Sequence, residues 1–249
     1  MKRFLLLSYI ILLSAAAHGQ FTMSGKIEYE RKVNVHAMMK DYETDDGGDS
    51  WYQRMKSSTP QFNVTYFDLL FDTTKSIYEP GRELENAPKG YNGNNPAADN
   101  IILTDFSAQK VKGVKNVFEQ KFFVRDSIRK IDWKVKDEIR TIAGYKCRKA
   151  VGRICDSVYV VAFYSEDIVT GGGPEMFGGL PGMILELAIP RLHTTWTADK
   201  IELLTPKETD FTIPEKGKKV NEKELFETIQ TSLKDWGKWG TRYIYWAVI

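Results

Sequence analysis

Hydrophobic and polar residues alternate at every second position along much of this chain, the pattern of strands that bury one face. In Lys26-Ile27-Glu28-Tyr29-Glu30-Arg31-Lys32-Val33 the apolar side chains fall mainly on odd positions. Ile131, Trp133 and Val135 alternate with Asp132, Lys134 and Lys136 in the same way. Residues 158–164 are apolar on both faces, which predicts a central strand. Residues 183–187 and 194–197 add two more. With Phe62–Phe71 and 122–125 the total reaches about eight strands, enough for a large antiparallel sheet.

One stretch follows a helical period instead. Leu225, Ile229, Leu233 and Trp236 recur on a single stripe. Asn221 and Glu224 form a capping box at its start, Val220 and Leu225 are placed as the accompanying staple, and Gly237 supplies the stop. After it, the aromatic and apolar run 243–249 reads as a last strand. The expected fold is mainly β (α+β): a large curved antiparallel sheet, open in the manner of a half-barrel, with the C-terminal amphipathic helix packed on it. Residues 42–50 form an acidic loop, and 79–100, rich in Pro, Gly, Asn and Ala, reads as an excursion within one domain rather than a boundary.

Composition narrows the class without naming a chemistry. The chain has 249 residues, 42% hydrophobic and 27% charged, which excludes disorder and a disulfide-dense mini-protein. Its formal net charge is +2. Residues 1–19 have the parts of an export signal: Lys2 and Arg3, an apolar run from Phe4 to Leu13, then Ala17-His18-Gly19 before Gln20. The apolar run is too short to span a bilayer, which takes roughly 20 residues. Without Lys2 and Arg3, cations and acids balance in the domain 20–249. A neutral exported chain is a poor nucleic-acid binder, because phosphate neutralisation needs a cation excess. The stretch 110–136, with nine Lys and Arg and interleaved Phe118, Phe122, Phe123 and Trp133, therefore reads as solvated strand faces.

Candidate chemistry is sparse. Cys147 and Cys155 flank Val151-Gly152, and either close a short loop in an oxidising compartment or stay as separate thiols. His36 and Met38 fall on one face of a strand with Met39 beside them, a soft-ligand set suited to copper(I), though ordinary methionine packing explains the same residues. The carboxylates Asp41, Glu43, Asp45, Asp46 and Asp49 lack the glycine and glutamate positions of a calcium loop. There is no G-x-S-x-G elbow, and Glu166 with Asp167 is the nearest thing to a hydrolytic carboxylate pair. No cofactor motif is present. The most distinctive segment is 171–183, where Leu180-Pro181-Gly182-Met183 fits a type II turn and the glycines bare N–H groups toward an anion or a peptide carboxylate.

That segment carries a family resemblance. Gly179-Leu180-Pro181-Gly182-Met183-Ile184 resembles the hexapeptide that names the GLPGLI family of exported Bacteroidetes proteins, with Met183 where the name has Leu. Trp133-Lys134, Thr141-Ile142-Ala143-Gly144-Tyr145-Lys146-Cys147-Arg148-Lys149-Ala150 and Ala162-Phe163-Tyr164-Ser165-Glu166-Asp167-Ile168 are similar to the family's central blocks. Gly173-Pro174, Phe177 and the early Gly25-Lys26-Ile27-Glu28-Tyr29 also fit. The resemblance implies an exported envelope protein, in the periplasm or at the outer membrane, and transfers no catalytic residue. The expected function is binding, not catalysis. Gly179, Leu180, Pro181, Gly182 and Met183 are the candidate binding residues, and a lipid, a peptide or an envelope protein is the partner. Copper handling through His36, Met38 and Met39, and hydrolysis at an unrecognised site, are the alternatives.

Overall fold

The alternating segments assemble into one twelve-stranded sheet in the computed structural model, which describes residues 21–41, 51–84, 96–155 and 157–249. The strands are β1 (Gly25–Asn34), β2 (Phe62–Phe71), β3 (Lys75–Pro80), β4 (Ile101–Asp105), β5 (Lys110–Val117), β6 (Gln120–Ser127), β7 (Lys134–Ile142), β8 (Tyr145–Ile154), β9 (Val158–Ser165), β10 (Met183–Ile189), β11 (Thr194–Glu202) and β12 (Lys218–Val220). Four helices accompany them: α1 (Val35–Lys40), α2 (Trp51–Ser58), α3 (Glu222–Ser232) and α4 (Gly237–Val248). The sheet order is β12-β6-β5-β4-β3-β2-β1-β11-β10-β9-β8-β7, and the sheet does not close into a barrel. Neighbours are antiparallel except β12, which runs parallel to β6. Two meanders spread in opposite directions from the central pair β1 and β11, whose ladder runs from Lys26 opposite Glu202 to Val33 opposite Thr194.

Register explains the core. The odd positions Ile27, Tyr29 and Val33 of β1 are buried, as are Phe67, Leu69 and Phe71 of β2 and Trp196 of β11. Tyr29 donates to the Ile184 carbonyl, which ties β1 to β10 across the inner face. A second apolar cluster lies where α3 and α4 cover β6 and β12, with Val220, Leu225, Ile229 and Leu233 packed on Phe122 and Val124. The capping box forms as the spacing predicts: Glu224 N donates to Asn221 Oδ1 at 2.8 Å and Asn221 N to Glu224 Oε2 at 2.9 Å.

Several expectations change. Residues 243–249 do not form a strand, because α4 occupies them to Val248. Gly240, Ile244, Trp246, Ala247 and Val248 are its buried positions, a helical face that the half-buried Tyr243 and Tyr245 conceal. Trp236 leaves the α3 stripe and stands 51% exposed. His36, Met38 and Met39 are on α1, not on a strand, because Asn34 ends β1 by capping the helix through a bond from Ala37 N at 3.0 Å. Cys147 and Cys155 are not bonded to each other. Cys147 lies within β8 and Cys155 just past its end, in a turn at φ +47°, so the strand holds them about 26 Å apart, and no turn occurs at Gly152. Gly152 is mid-strand because the linker 128–133 lies on it, with Ile131 Cγ2 2.6 Å from where a Cβ would stand. Residues 1–19 and the acidic loop 42–50 lie outside the described residues, as do 85–95 of the expected excursion.

Candidate functional site

Two charged side chains occupy positions that the β alternation reserves for apolar ones. Arg31 follows Ile27 and Tyr29 in the inward phase of β1, and Lys115 follows Val111 and Gly113 in that of β5. Both are buried. Arg31 Nε donates to Thr65 Oγ1 at 3.0 Å, and Nη1 donates to the carbonyls of Pro96 at 3.0 Å and Ala97 at 3.2 Å. Its guanidinium lies over the rings of Phe67 and Trp246. Lys115 Nζ donates to the main-chain oxygens of Ala247 and Ile249, so a cation from β5 satisfies the last turn of α4 where the helix dipole is negative.

The countercharge comes from the glycine-rich segment. Gly179 N donates to Gly171 O at 3.0 Å, closing a loop that carries Glu175 inward at φ +54°. Glu175 Oε2 accepts from Asn100 Nδ2 at 2.7 Å, while Oε1 has no partner, nor has Arg31 Nη2. Beside it, Trp196 Nε1 donates to the Tyr78 hydroxyl at 3.0 Å. Burial dominates the electrostatics. It draws the Lys115 ammonium down to about 8 against the pull of Glu175 and holds the Glu175 carboxyl above its ordinary value against the pull of Lys115. It also pushes the Tyr78 phenol well up. A cavity of about 190 Å³ adjoins this cluster, with Asn100, Lys115 and Trp246 in its wall.

A larger cleft opens between the linker 128–133, the ends of β8 and β9, and the start of α3. It measures about 910 Å³, within the range of ligand pockets. Val151, Ile154, Phe226 and Val248 give it an apolar floor. Around them stand Arg129, Lys130, Lys134, Arg153 and Lys223, against Asp126, Asp132 and Glu222. Two of the acids are already engaged. Glu222 binds Arg129, with contacts at 2.7 and 3.0 Å, and Asp126 accepts from Glu222 N at 3.0 Å. Arg129 also donates to Val248 O. Lys130, Lys134 and Arg153 make no ion pair among the described residues. The cleft therefore presents cationic charge above an apolar base.

The residues singled out in the sequence lie elsewhere. Gly179, Leu180, Pro181, Gly182 and Met183 line neither cavity. Gly182 N donates to Leu180 O at 2.8 Å, and Met183 N to Ile168 O at 3.2 Å. The turn is thus a three-residue γ-turn centred on Pro181, not type II, because the Met183 N–H that type II would use is taken by Ile168. Met183 is fully buried. The helical α1 also removes the premise of the copper set. His36 and Met38 point apart on a helix, His36 Nε2 contacts Thr59 O at 2.7 Å, and Met39 is buried beside Val35. Among the described residues no three His, Cys, Asp or Glu side chains converge as a metal site would need. Arg31 and Lys115 were legible as charges in an apolar register; nothing in the sequence marks Glu175 as the charge that faces them.

Residues 152–186, which include Glu175 and the glycine-rich turn, match a family described as "Protein of unknown function (Porph_ging)". A comparison with curated proteins gave no match. Among solved structures, PNGF-II resembles the chain in two crystal forms. The P21 form has TM-score 0.51 and 14% identity, covering 80% of this chain and 32% of that one. The C2 form has TM-score 0.52 and 13% identity, covering 90% and 33%. This chain spans about a third of PNGF-II, and at such identity the likeness is one of fold. An uncharacterized conserved protein from Thermus thermophilus aligns at 7% identity over 86% of this chain and 99% of its own, with TM-score 0.40.

Proposed function

We propose that this is an exported cell-envelope protein that holds a ligand rather than transforming it, and that the ligand is an anionic molecule with an apolar portion, seated in the larger cleft. The export-signal pattern of residues 1–19 and the resemblance to the exported GLPGLI proteins support the location. One observation carries the ligand chemistry: Lys130, Lys134 and Arg153, without carboxylate partners among the described residues, rim a floor of Val151, Ile154 and Phe226. An acyl chain or apolar side chain would cover the floor while a carboxylate or phosphate met the cations.

Residues 20–249 would be titrated with an anionic lysophospholipid and, separately, with its zwitterionic counterpart, by displacement of an environment-sensitive anionic dye. The anionic ligand should bind at least about tenfold tighter, since two or three partly exposed charge contacts together give about 1–3 kcal/mol. A Lys130→Gln, Lys134→Gln, Arg153→Gln variant should lose that preference and retain weak apolar binding. Equal affinity for both ligands, or an unchanged variant, would remove the proposal. An acidic apolar peptide in the same displacement assay distinguishes a peptide ligand from a lipid.

A further inference from the structure

A second surface, away from the cleft, gathers aromatic side chains at two chain reversals. The β5–β6 hairpin pairs Val117 with Gln120, leaving Phe118 and Glu119 as a two-residue loop. Such loops require positive φ at the first position and favour Gly or Asn there. Here the position holds Phe118, at φ +55° and 42% exposed. A bulky aromatic is therefore kept in an unfavourable conformation with much of its ring in solvent. Beside it, the chain between α3 and α4 turns through Lys234, Asp235 and Trp236, and residues 234–239 are all exposed. Trp236, Trp239 and Tyr243 fall on one side of this corner at i, i+3 and i+7. The Phe118 ring lies 5.5 Å from Trp236 and 5.0 Å from Tyr243. Hairpin tip and helix corner form one aromatic ledge.

We infer that this ledge docks on the surface of an anionic lipid bilayer. The occupant follows from chemistry and shape. Trp, Tyr and Phe side by side, flanked by lysines, are the composition that settles at the boundary between headgroups and acyl chains. Lys234, Lys238 and Lys121 flank the aromatic residues in the chain, against Asp235 and Glu119, and none of the three lysines makes an ion pair among the described residues. Their cationic surplus complements phosphate headgroups, and their long stems let the charge stay wet while the rings enter. Both parts of the ledge are chain reversals, so they protrude, as insertion into a soft surface requires. No helix of the described residues is long and apolar enough to cross a membrane, so the contact is with the surface.

Residues 20–249 would be sedimented with large vesicles of phosphatidylcholine alone, and with about a third phosphatidylglycerol. Wild-type protein should partition at least about tenfold more strongly onto the anionic vesicles, with tryptophan emission quenched by lipids brominated near the headgroup. Trp236→Ser with Trp239→Ser should abolish both signals, and Lys234→Gln with Lys238→Gln should erase the preference for anionic lipid. All four positions are exposed, so both variants should fold, the lysine variant melting with wild type and the tryptophan variant somewhat lower for want of the Phe118 ring contact. The cleft variant Lys130→Gln, Lys134→Gln, Arg153→Gln should bind vesicles normally, which separates this inference from the ligand proposal. Absence of vesicle binding by wild type would overturn it and leave a protein or glycan as the occupant of the ledge. Binding that survives the tryptophan changes, or that is lost in the cleft variant alone, would overturn it too.

Discussion

Alkali should strengthen this fold through one side chain. Lys115 is 1% exposed, and burial lowers its ammonium from 10.5 to about 8. In the unfolded chain the same amine titrates near 10.4, so between the two values only the unfolded state carries the proton. Unfolding free energy then rises by about 1.4 kcal/mol per pH unit, reaching about 3 kcal/mol in all. That stabilisation is complete above the unfolded value and is lost as pH falls through the folded one. Two effects oppose it. Burial pushes the Cys147 thiol up to about 12, so from about pH 8.5 the unfolded chain gives up a proton that the native state keeps. Tyr29 and Tyr78, both held well above the ordinary phenol value by burial, act the same way above about pH 10. The wild-type curve should therefore be nearly flat from about pH 8.5 to about pH 10, and the lysine must be read as a difference. Urea unfolding of wild type and Lys115→Met across this range should show the variant losing about 1.4 kcal/mol per unit relative to wild type. The double variant Lys115→Met, Glu175→Gln removes the stranded carboxylate and supplies the same comparison if the single change prevents folding. Parallel curves would refute the assignment of a depressed, buried ammonium at this position.

Other consequences are simpler to test. A Cβ on Gly182 would stand 2.0 Å from Ser165 O at φ +146°, so Gly182→Ala should cost at least about 3 kcal/mol in urea unfolding. Gly144→Ala, at φ +86° with nothing within 4 Å, should cost only about 1 kcal/mol in the same assay. Asn221→Ala removes the α3 cap and should lower stability by about 1 kcal/mol, with Asn221→Gly nearer wild type. A thiol reagent should label Cys155 in the native protein without reductant, and Cys147 only after denaturation. Absence of label until reductant is added would mean that the two are bonded.

The two-residue period was a sound guide where one face is buried and the other wet. It located β1, β2, β9, β10 and β11, whose inward positions are mainly apolar, with Arg31 the charged exception in β1. It failed for β4 and β5, where Gly113 and Lys115 interrupt the apolar phase, and it misplaced β7: of the expected run 131–136 only 134–136 are strand, and β7 continues through residues exposed except Ile142. The α3 cap was legible because capping is local: Asn221 and Glu224 need only each other. For α1 the same signal existed in Asn34, but Val33 and Val35 made the segment look extended. The glycine-rich turn stood out for a steric reason, the close approach of Gly182 to β9, and sequence alone does not separate that from a binding role. The cleft was not legible at all. Lys130 and Lys134 come from the linker and an edge strand, and Arg153 from the end of β8, so only the sheet order makes them neighbours.

The pairing of β1 with β11 has a consequence for biosynthesis. The earliest strand sits mid-sheet, yet the edge that Lys26 presents is completed by Glu202, so nearly all the intervening polypeptide must emerge before that edge is closed. Arg31 waits still longer, for the ring of Trp246. Such long-range pairing slows folding, because the loop between the two strands must close before their contacts form. It also means that the two meanders, each built of strands adjacent in the chain, are joined into one sheet only when β11 has been made.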